Sequence, residues 1–202
     1  MNRGKSPAPS LSRLKLVAVF VMFFGPLIFA LVWYYGMGAA FAPRSGTNHA
    51  PLVAPPVVLE AFTNPRPDGS LVGLDDLQGH WTVVHRLDGN CGEACRTSLY
   101  NTRQTRLALG RNTERVRRIL LGADAGMMGE MALEHPDMDL VLRGAGGLGD
   151  QLAPVAADNG AGPDDALLVD PLGNVMMLIP ASLDPSDLLK DLKKLMKLSK
   201  VG

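Results

Sequence analysis

The stretch Trp81-Thr82-Val83-Val84-His85-Arg86-Leu87-Asp88-Gly89-Asn90-Cys91-Gly92-Glu93-Ala94-Cys95-Arg96 decides how the chain is read. Its first seven residues, rich in valine, threonine and tryptophan, spell a strand. Asp88-Gly89-Asn90 is a turn, and residues from about Gly92 to Leu109 read as a helix that Gly110 would terminate. Cys91 and Cys95, the only two cysteines, stand where strand gives way to helix. Four residues along a helix rise by about 6 Å and leave both side chains on one face. Two thiols held that way close to a disulfide or clamp one soft metal ion.

Downstream, Arg115–Leu121 reads as the next strand, Met127–Glu134 as a short helix ended by His135-Pro136, and Met138–Leu142 as another apolar run. Leu148–Ala157 suits a further helix. Ala166–Asp170 and Val175–Ile179 form the clearest hairpin, with Pro171-Leu172-Gly173-Asn174 as its loop. Asp184-Pro185-Ser186-Asp187 caps a closing helix whose Leu188, Leu189, Leu192, Leu195 and Met196 fall on one face, opposite a solvated lysine face. Upstream, Val57–Phe62 is the expected first strand, Asn64–Ser70 a turn, and Leu71–Leu74 its returning partner. Strands alternating with helices imply an α/β sheet with right-handed crossovers. A central strand leading to paired cysteines and a helix, then a hairpin and a last helix, resembles a thioredoxin-like fold.

The N-terminus is of another kind. From Leu16 to Tyr35, twenty consecutive residues carry no charge, which is the length that crosses a bilayer's hydrocarbon. Arg3, Lys5, Arg13 and Lys15 precede that run and no acid does, so the N-terminus is expected in the cytoplasm. Trp33-Tyr34-Tyr35 suits the far interface, and membrane helices tolerate a residue such as Pro26. Ala40-Phe41-Ala42 offers a competing reading as a signal-peptide cleavage site, for which the apolar run is long. The expected division is a basic N-terminus over 1–15, a transmembrane anchor over 16–36, a Pro-rich tether over 37–56 and a folded domain over 57–202. Beyond residue 42 the chain carries 16 basic and 20 acidic side chains. That mild acidity argues against nucleic acid as a partner.

A thiolate is the reactive form in disulfide exchange and in metal binding alike. The dipole at a helix start and the neighbouring Arg96 both favour it here. The plain alternative is a structural disulfide, weakened because a bridge across three residues constrains the unfolded chain little.

On these residues the chain resembles the Sco/SenC family over about residues 57–198. The resemblance rests on the strand, the Cys91-x-x-x-Cys95 turn into a helix, the Leu168-Val169-Asp170-Pro171-Leu172-Gly173-Asn174 hairpin and the single anchor. It implies a thioredoxin-like α/β domain with a single N-terminal transmembrane helix in the bacterial inner membrane, its C-terminal domain in the periplasm. It implies a part in cytochrome c oxidase assembly, with oxidase subunits or their copper-loading factors as partners and copper(I) as a ligand. Two departures alter that expectation. The family's motif is followed by proline, where Arg96 stands here. Its copper-binding histidine would fall on Gly162, and no histidine follows His135. The leading expectation is therefore a dithiol, Cys91 and Cys95, that reduces partner cysteines. A copper(I) chaperone using the same two sulfurs is the second reading, and a non-catalytic scaffold with a structural disulfide the third.

His85 is a weak candidate for a third copper ligand, because strand alternation decides whether it faces the cysteines. A strand histidine is more often packed than ligating, His80 and His135 stand at turns, and His49 lies in the tether with nothing to fix it. Met127, Met128 and Met131, with Met176 and Met177, supply thioethers, although methionine is an ordinary core filler. Gly144-Ala145-Gly146-Gly147-Leu148-Gly149 lacks the strand–helix setting of a dinucleotide fingerprint and reads as a loop. No HExxH, GxSxG or paired-CxxC pattern occurs, and Asp88 stands where a peroxiredoxin would carry threonine.

Overall fold

A computed structural model of the chain describes residues 11–36 and 48–199, which belong to two compact units, Met1–Gly46 and Thr47–Gly202. In the first, helix α1 (Leu11–Gly36) contains Pro26 without breaking. Its segment Arg13–Trp33 has a mean hydropathy of 2.6 and is long and apolar enough to cross a membrane. Phe20 stacks on Phe24 with ring centres 4.4 Å apart, one helical turn on. The expected anchor falls within this helix, and residues 37–47 of the expected tether lie outside the described residues.

The second unit is built on a six-stranded sheet. Its strands are β1 (Leu52–Val58), β4 (Trp81–Leu87), β5 (Val116–Gly122), β6 (Asp139–Leu142), β7 (Ala166–Val169) and β8 (Asn174–Ile179), in the order β1-β8-β7-β4-β5-β6. A separate hairpin pairs β2 (Thr63–Pro65) with β3 (Leu71–Gly73). The β4–β5 and β5–β6 pairs are parallel, and β4–β7, β7–β8 and β8–β1 are antiparallel. The helices are α2 (Leu74–Leu77), α3 (Glu93–Ala108), α4 (Ala125–Glu134), α5 (Leu148–Asp158) and α6 (Pro185–Leu198), with a 3₁₀ turn at Gly110–Arg115.

Both faces of the sheet are covered, so its central strands are buried on each side. On one face Val84, Ile119, Leu121, Leu167 and Val169 pack with Leu148, Leu152 and Val155 of α5. On the other, Trp81, Val83, Val116, Leu168 and Met177 meet Leu188, Leu192 and Met196 of α6. Leu87 and Leu120 continue that second face beneath Cys95 and Leu99 of α3 and Met128 and Met131 of α4. The period-2 alternation of β4 thus sends Trp81, Val83, His85 and Leu87 under α3.

Several sequence expectations fail locally. The Pro-rich stretch 52–58, expected mostly as tether, is edge strand β1, with a register shift between Leu52 and Val57. An edge strand interrupted by a bulge tolerates Pro55 and Pro56 because their missing N–H groups leave no ladder bond unmade. Leu71–Leu74 does not pair with 57–62, because the tight Arg66–Ser70 turn, closed by Arg66 N–H to Ser70 O, aligns it with Thr63–Pro65 instead. Asn64, read as a turn residue, is fully buried. It donates to Leu142 O and accepts from Leu148 N–H, both at 2.8 Å, and so fastens the hairpin to the main sheet. His49 is fixed after all: Asp191 of α6 accepts from the backbone N–H groups of His49 and Ala50 at 2.8 Å and contacts the His49 ring at 3.0 Å.

The loop between β7 and β8 follows its sequence closely. Asp170 accepts from the N–H groups of Leu172 and Asn174. Gly173 takes a φ of +89° with Leu74 against it, so only glycine suits that position. At α6, Asp184 caps Ser186 N–H at 2.7 Å ahead of Pro185, as the sequence requires.

Candidate redox and metal site

Strand β4 ends at Leu87 beside Gly122 of β5, and the chain turns through Gly89, whose φ is +141°. Gly92 then caps α3. The turn and the helix start bring Cys91 and Cys95 together as a disulfide with Cα atoms 5.2 Å apart. The two sulfurs are not equivalent. Cys91 is half-buried at the rim, whereas Cys95 is 7 % exposed and belongs to the core. Beside Cys91 opens a cavity of about 170 Å³ lined by Leu87, Asn90, Cys91, Arg96, Met127, Glu130 and Met131. Arg96, expected to favour a thiolate, reaches across to Glu134 of α4 at 2.9 Å while lining this cavity.

The candidate third ligand, His85, does lie on the face under α3, but its ring is engaged elsewhere. His85 Nε2 is 2.9 Å from Thr102 Oγ1, two helical turns beyond Cys95. Thr102 Oγ1 also lies within hydrogen-bond distance of the Ser98 and Leu99 carbonyls, and in either tautomer the His85 Nε2 is held by this hydroxyl under α3 and away from the sulfur cavity, which His85 does not line. Burial, with Arg118 and His135 nearby, pushes the His85 pKa down to about 3, which keeps the ring neutral. His80 contacts Gln78 O at 3.2 Å, and His135 is buried at the end of α4; neither lines the sulfur cavity. Gly162 is tied through its N–H to Asp165 and through its carbonyl to Arg86. Among the described residues, no group of three or more histidine, cysteine or acidic side chains could hold a metal ion.

The methionines divide into two kinds. Met128 is fully buried and fills the space left by the missing Cβ of Gly122, where an added carbon would stand 2.8 Å from its sulfur. Met127 and Met131, one turn apart on α4, line the cavity beside Cys91. Their i,i+4 spacing was visible in the sequence; that this face of α4 looks toward the cysteines was not.

A second feature escaped the sequence. Arg118 of β5 is only 1 % exposed, with its guanidinium 3.2 Å from Asp137 and donating at 2.6 Å to Leu99 O of α3. Asp137 also pairs with Arg103 and Arg106 of α3, at 3.4 and 3.5 Å. The burial of Asp137 would raise its pKa, but the charge and hydrogen bond of Arg118, a backbone hydrogen bond and the charge of Arg106 outweigh it and hold the carboxyl below the usual range. The cluster borders a cavity of about 500 Å³ also lined by Arg66, His80 and Arg117, at the amino ends of the parallel strands.

Residues 81–199 match the family described as "transmembrane-like, thioredoxin-like, C-terminal domain". No curated protein matches the chain in sequence. Among solved structures, copper-bound ScoI from Arabidopsis thaliana is 18% identical with a TM-score of 0.55, covering 71% of this chain and 100% of that one. BsSco, described as a member of the Sco family of cytochrome c oxidase assembly proteins with a disulfide switch, is 18% identical with a TM-score of 0.54, covering 72% and 96%. A thiol:disulfide interchange protein from Bacteroides sp. is 19% identical with a TM-score of 0.51, covering 73% and 93%. Likeness at such identities is one of fold. By its match over more than half its length, the chain belongs to the transmembrane-like, thioredoxin-like C-terminal-domain family, and its globular unit has the α/β fold of the Sco proteins.

Proposed function

We propose that the protein is a membrane-anchored thiol–disulfide exchange factor, Sco-like, that reduces partner cysteines during cytochrome c oxidase assembly. In this reading α1 anchors it in a bacterial inner membrane with residues 1–15 cytoplasmic and the globular unit in the periplasm. The observation that carries the reading is the asymmetric Cys91–Cys95 bridge at the start of α3, one sulfur at the rim of a cavity and the other buried.

In the reduced protein the accessible Cys91 thiolate attacks one sulfur of a partner disulfide. A mixed disulfide forms, and the partner's other sulfur leaves as a thiolate. The Cys95 thiolate, one turn along α3, then attacks Cys91, forming the Cys91–Cys95 bond and releasing the partner's second thiolate. Two electrons pass to the partner, and two protons follow to give its dithiol. A dithiol reductant outside the cytoplasm must reduce the bridge before the next cycle. BsSco is described as having a disulfide switch and the Bacteroides protein as a thiol:disulfide interchange protein, which supports this reading.

The test is exchange between the reduced protein and a small aromatic disulfide or an oxidised partner peptide. Cys91→Ser is expected to reduce the rate to the uncatalysed background. Cys95→Ser is expected to stall as a trapped mixed disulfide, seen as a mass increment. If wild type reacts no faster than free thiol, the exchange reading fails. If Cys91→Ser/Cys95→Ser supports oxidase assembly normally, the scaffold reading replaces it.

A second reading, copper(I) carriage through Cys91 and Cys95, is supported by the copper-bound Arabidopsis structure and by the clustering of soft sulfur donors around the pair.

A further inference from the structure

The core cluster beneath the start of α3 gathers six sulfurs: Cys91, Cys95, Met127, Met128, Met131 and Met138. Four of them are accounted for by packing or by the bridge itself. Met128 fills the Gly122 notch, Met138 is buried, and the cysteines hold each other. Met127 is only partly buried, and Met131, although 2 % exposed and packed in the cluster, also borders open space; that space is shared with Cys91. At about 170 Å³ it exceeds several-fold the roughly 30 Å³ that one water occupies in the liquid.

We infer that Met127 and Met131 complete, with the reduced cysteines, an all-sulfur site for a soft, closed-shell monovalent cation, copper(I) or silver(I). This inference deepens the copper(I) reading above and names the ligands that the histidines do not supply. Thiolates and neutral thioethers suit a soft monovalent ion, whereas a harder divalent ion prefers nitrogen and oxygen. The imidazole best placed by alternation, His85, is hydrogen-bonded through Nε2 to Thr102 and does not line the cavity. Two oxygen donors, the Glu130 carboxylate and the Asn90 amide, line the same cavity and define the competing arrangement, a divalent ion on Cys91 and Glu130 with or without Asn90. Two thiolates with one monovalent ion leave a single negative charge; Arg96, paired with Glu134, and Glu130 stand at the same wall. Binding displaces two thiol protons and involves no electron transfer once the bridge is reduced.

The experiment uses the full chain in detergent micelles, labelled with selenomethionine and reduced anaerobically with a phosphine, then given one equivalent of copper(I). Copper K-edge absorption is expected to show a selenium shell beside the sulfur shell and no imidazole. The selenium shell is expected to vanish in Met127→Leu/Met131→Leu. In competition with a chromophoric copper(I) chelator, that variant is expected to bind at least tenfold more weakly, with zinc(II) binding little changed. Bound copper with no selenium shell, or with nitrogen or oxygen neighbours in its place, overturns the methionine ligation while leaving copper carriage intact. If the reduced wild type retains no copper(I), the carriage reading and the ligand set fall together. The exchange reading is decided separately by its own rate assay. The selenium measurement needs no substitution, so a misfolded variant cannot mask the result.

Discussion

The two ends of helix α3 sit over the same face of the sheet and are held there by opposite chemistry. At the carboxyl ends of β4 and β5, the buried contacts are sulfur and hydrocarbon, with the Arg96–Glu134 pair at the exposed rim, and one sulfur reaches the surface. At the amino ends, Arg103 and Arg106 of α3 share Asp137 with the buried Arg118. The soft end can open and close one covalent bond without removing charge from water. The hard end cannot let go of a partner without stranding a buried guanidinium. The lesson is a division of labour: the charged cluster fixes the helix, so that bond changes at its start do not unseat it.

That division breaks most visibly at Asp137. Asp137→Ala leaves Arg118 charged with no counter-ion, a change expected to cost about 3–5 kcal/mol in denaturant unfolding followed by circular dichroism. Replacing both partners, Arg118→Met with Asp137→Leu, is expected to recover part of that loss, because the most deeply buried charge is removed while Arg103 and Arg106, closer to solvent, remain without Asp137. The midpoint potential of the Cys91–Cys95 bridge is expected to stay within a few millivolts of wild type in the double variant. A large shift there would show that the two ends are one device.

The soft end yields to volume instead. Gly122→Ala would set a carbon 2.8 Å from the Met128 sulfur and 3.5 Å from Leu87 Cβ. The methionine can turn aside, but in a filled core the expected loss is about 1–2 kcal/mol. Combining it with Met128→Ala, which removes the obstructing sulfur, is expected to cost less than the separate losses added together. Strict additivity would mean that the notch and the sulfur do not face each other.

The same contrast governs what could be read from the chain. Cys91 and Cys95 announce themselves by spacing, α3 by its glycine boundaries, and α6 by Asp184, Pro185 and the leucine period, because these signals are local. Asp170 and Gly173 fix the β7–β8 turn within five residues. The charged end was illegible because its members are scattered. Arg118 looks like a surface charge in Arg115-Val116-Arg117-Arg118 until Asp137, nineteen residues on, is brought beneath the same helix. Asn64 gives no sign of its role without Leu142 and Leu148. Strand β1 was obscured because prolines argue against strand wherever the edge position is unknown. At the candidate site the cysteines and the i,i+4 methionines were both in view, and only the packing of α4 joined them.

His85 lies between the two ends and gives the smallest test. Its pKa falls from 6.5 to about 3 on folding, chiefly through burial, with Arg118 and His135 contributing. The folded state therefore excludes a proton that the unfolded chain binds below pH 6.5. Stability from this source is complete above pH 6.5 and is lost as pH falls from there toward 3. Between pH 7.5 and 5.5 the expected loss from His85 is about 1.4 kcal/mol. His135, also lowered by burial and by Arg118, acts in the same direction. Asp137, lowered as well, adds nothing in this window, because its contribution is lost only as pH drops through the ordinary carboxylate range. His85→Gln keeps a hydrogen-bonding group for Thr102 but removes the titration, so its unfolding free energy is expected to fall less steeply over those two pH units. An unchanged slope would move the titration to His135, and with it the point at which the buried charge of Arg118 is felt.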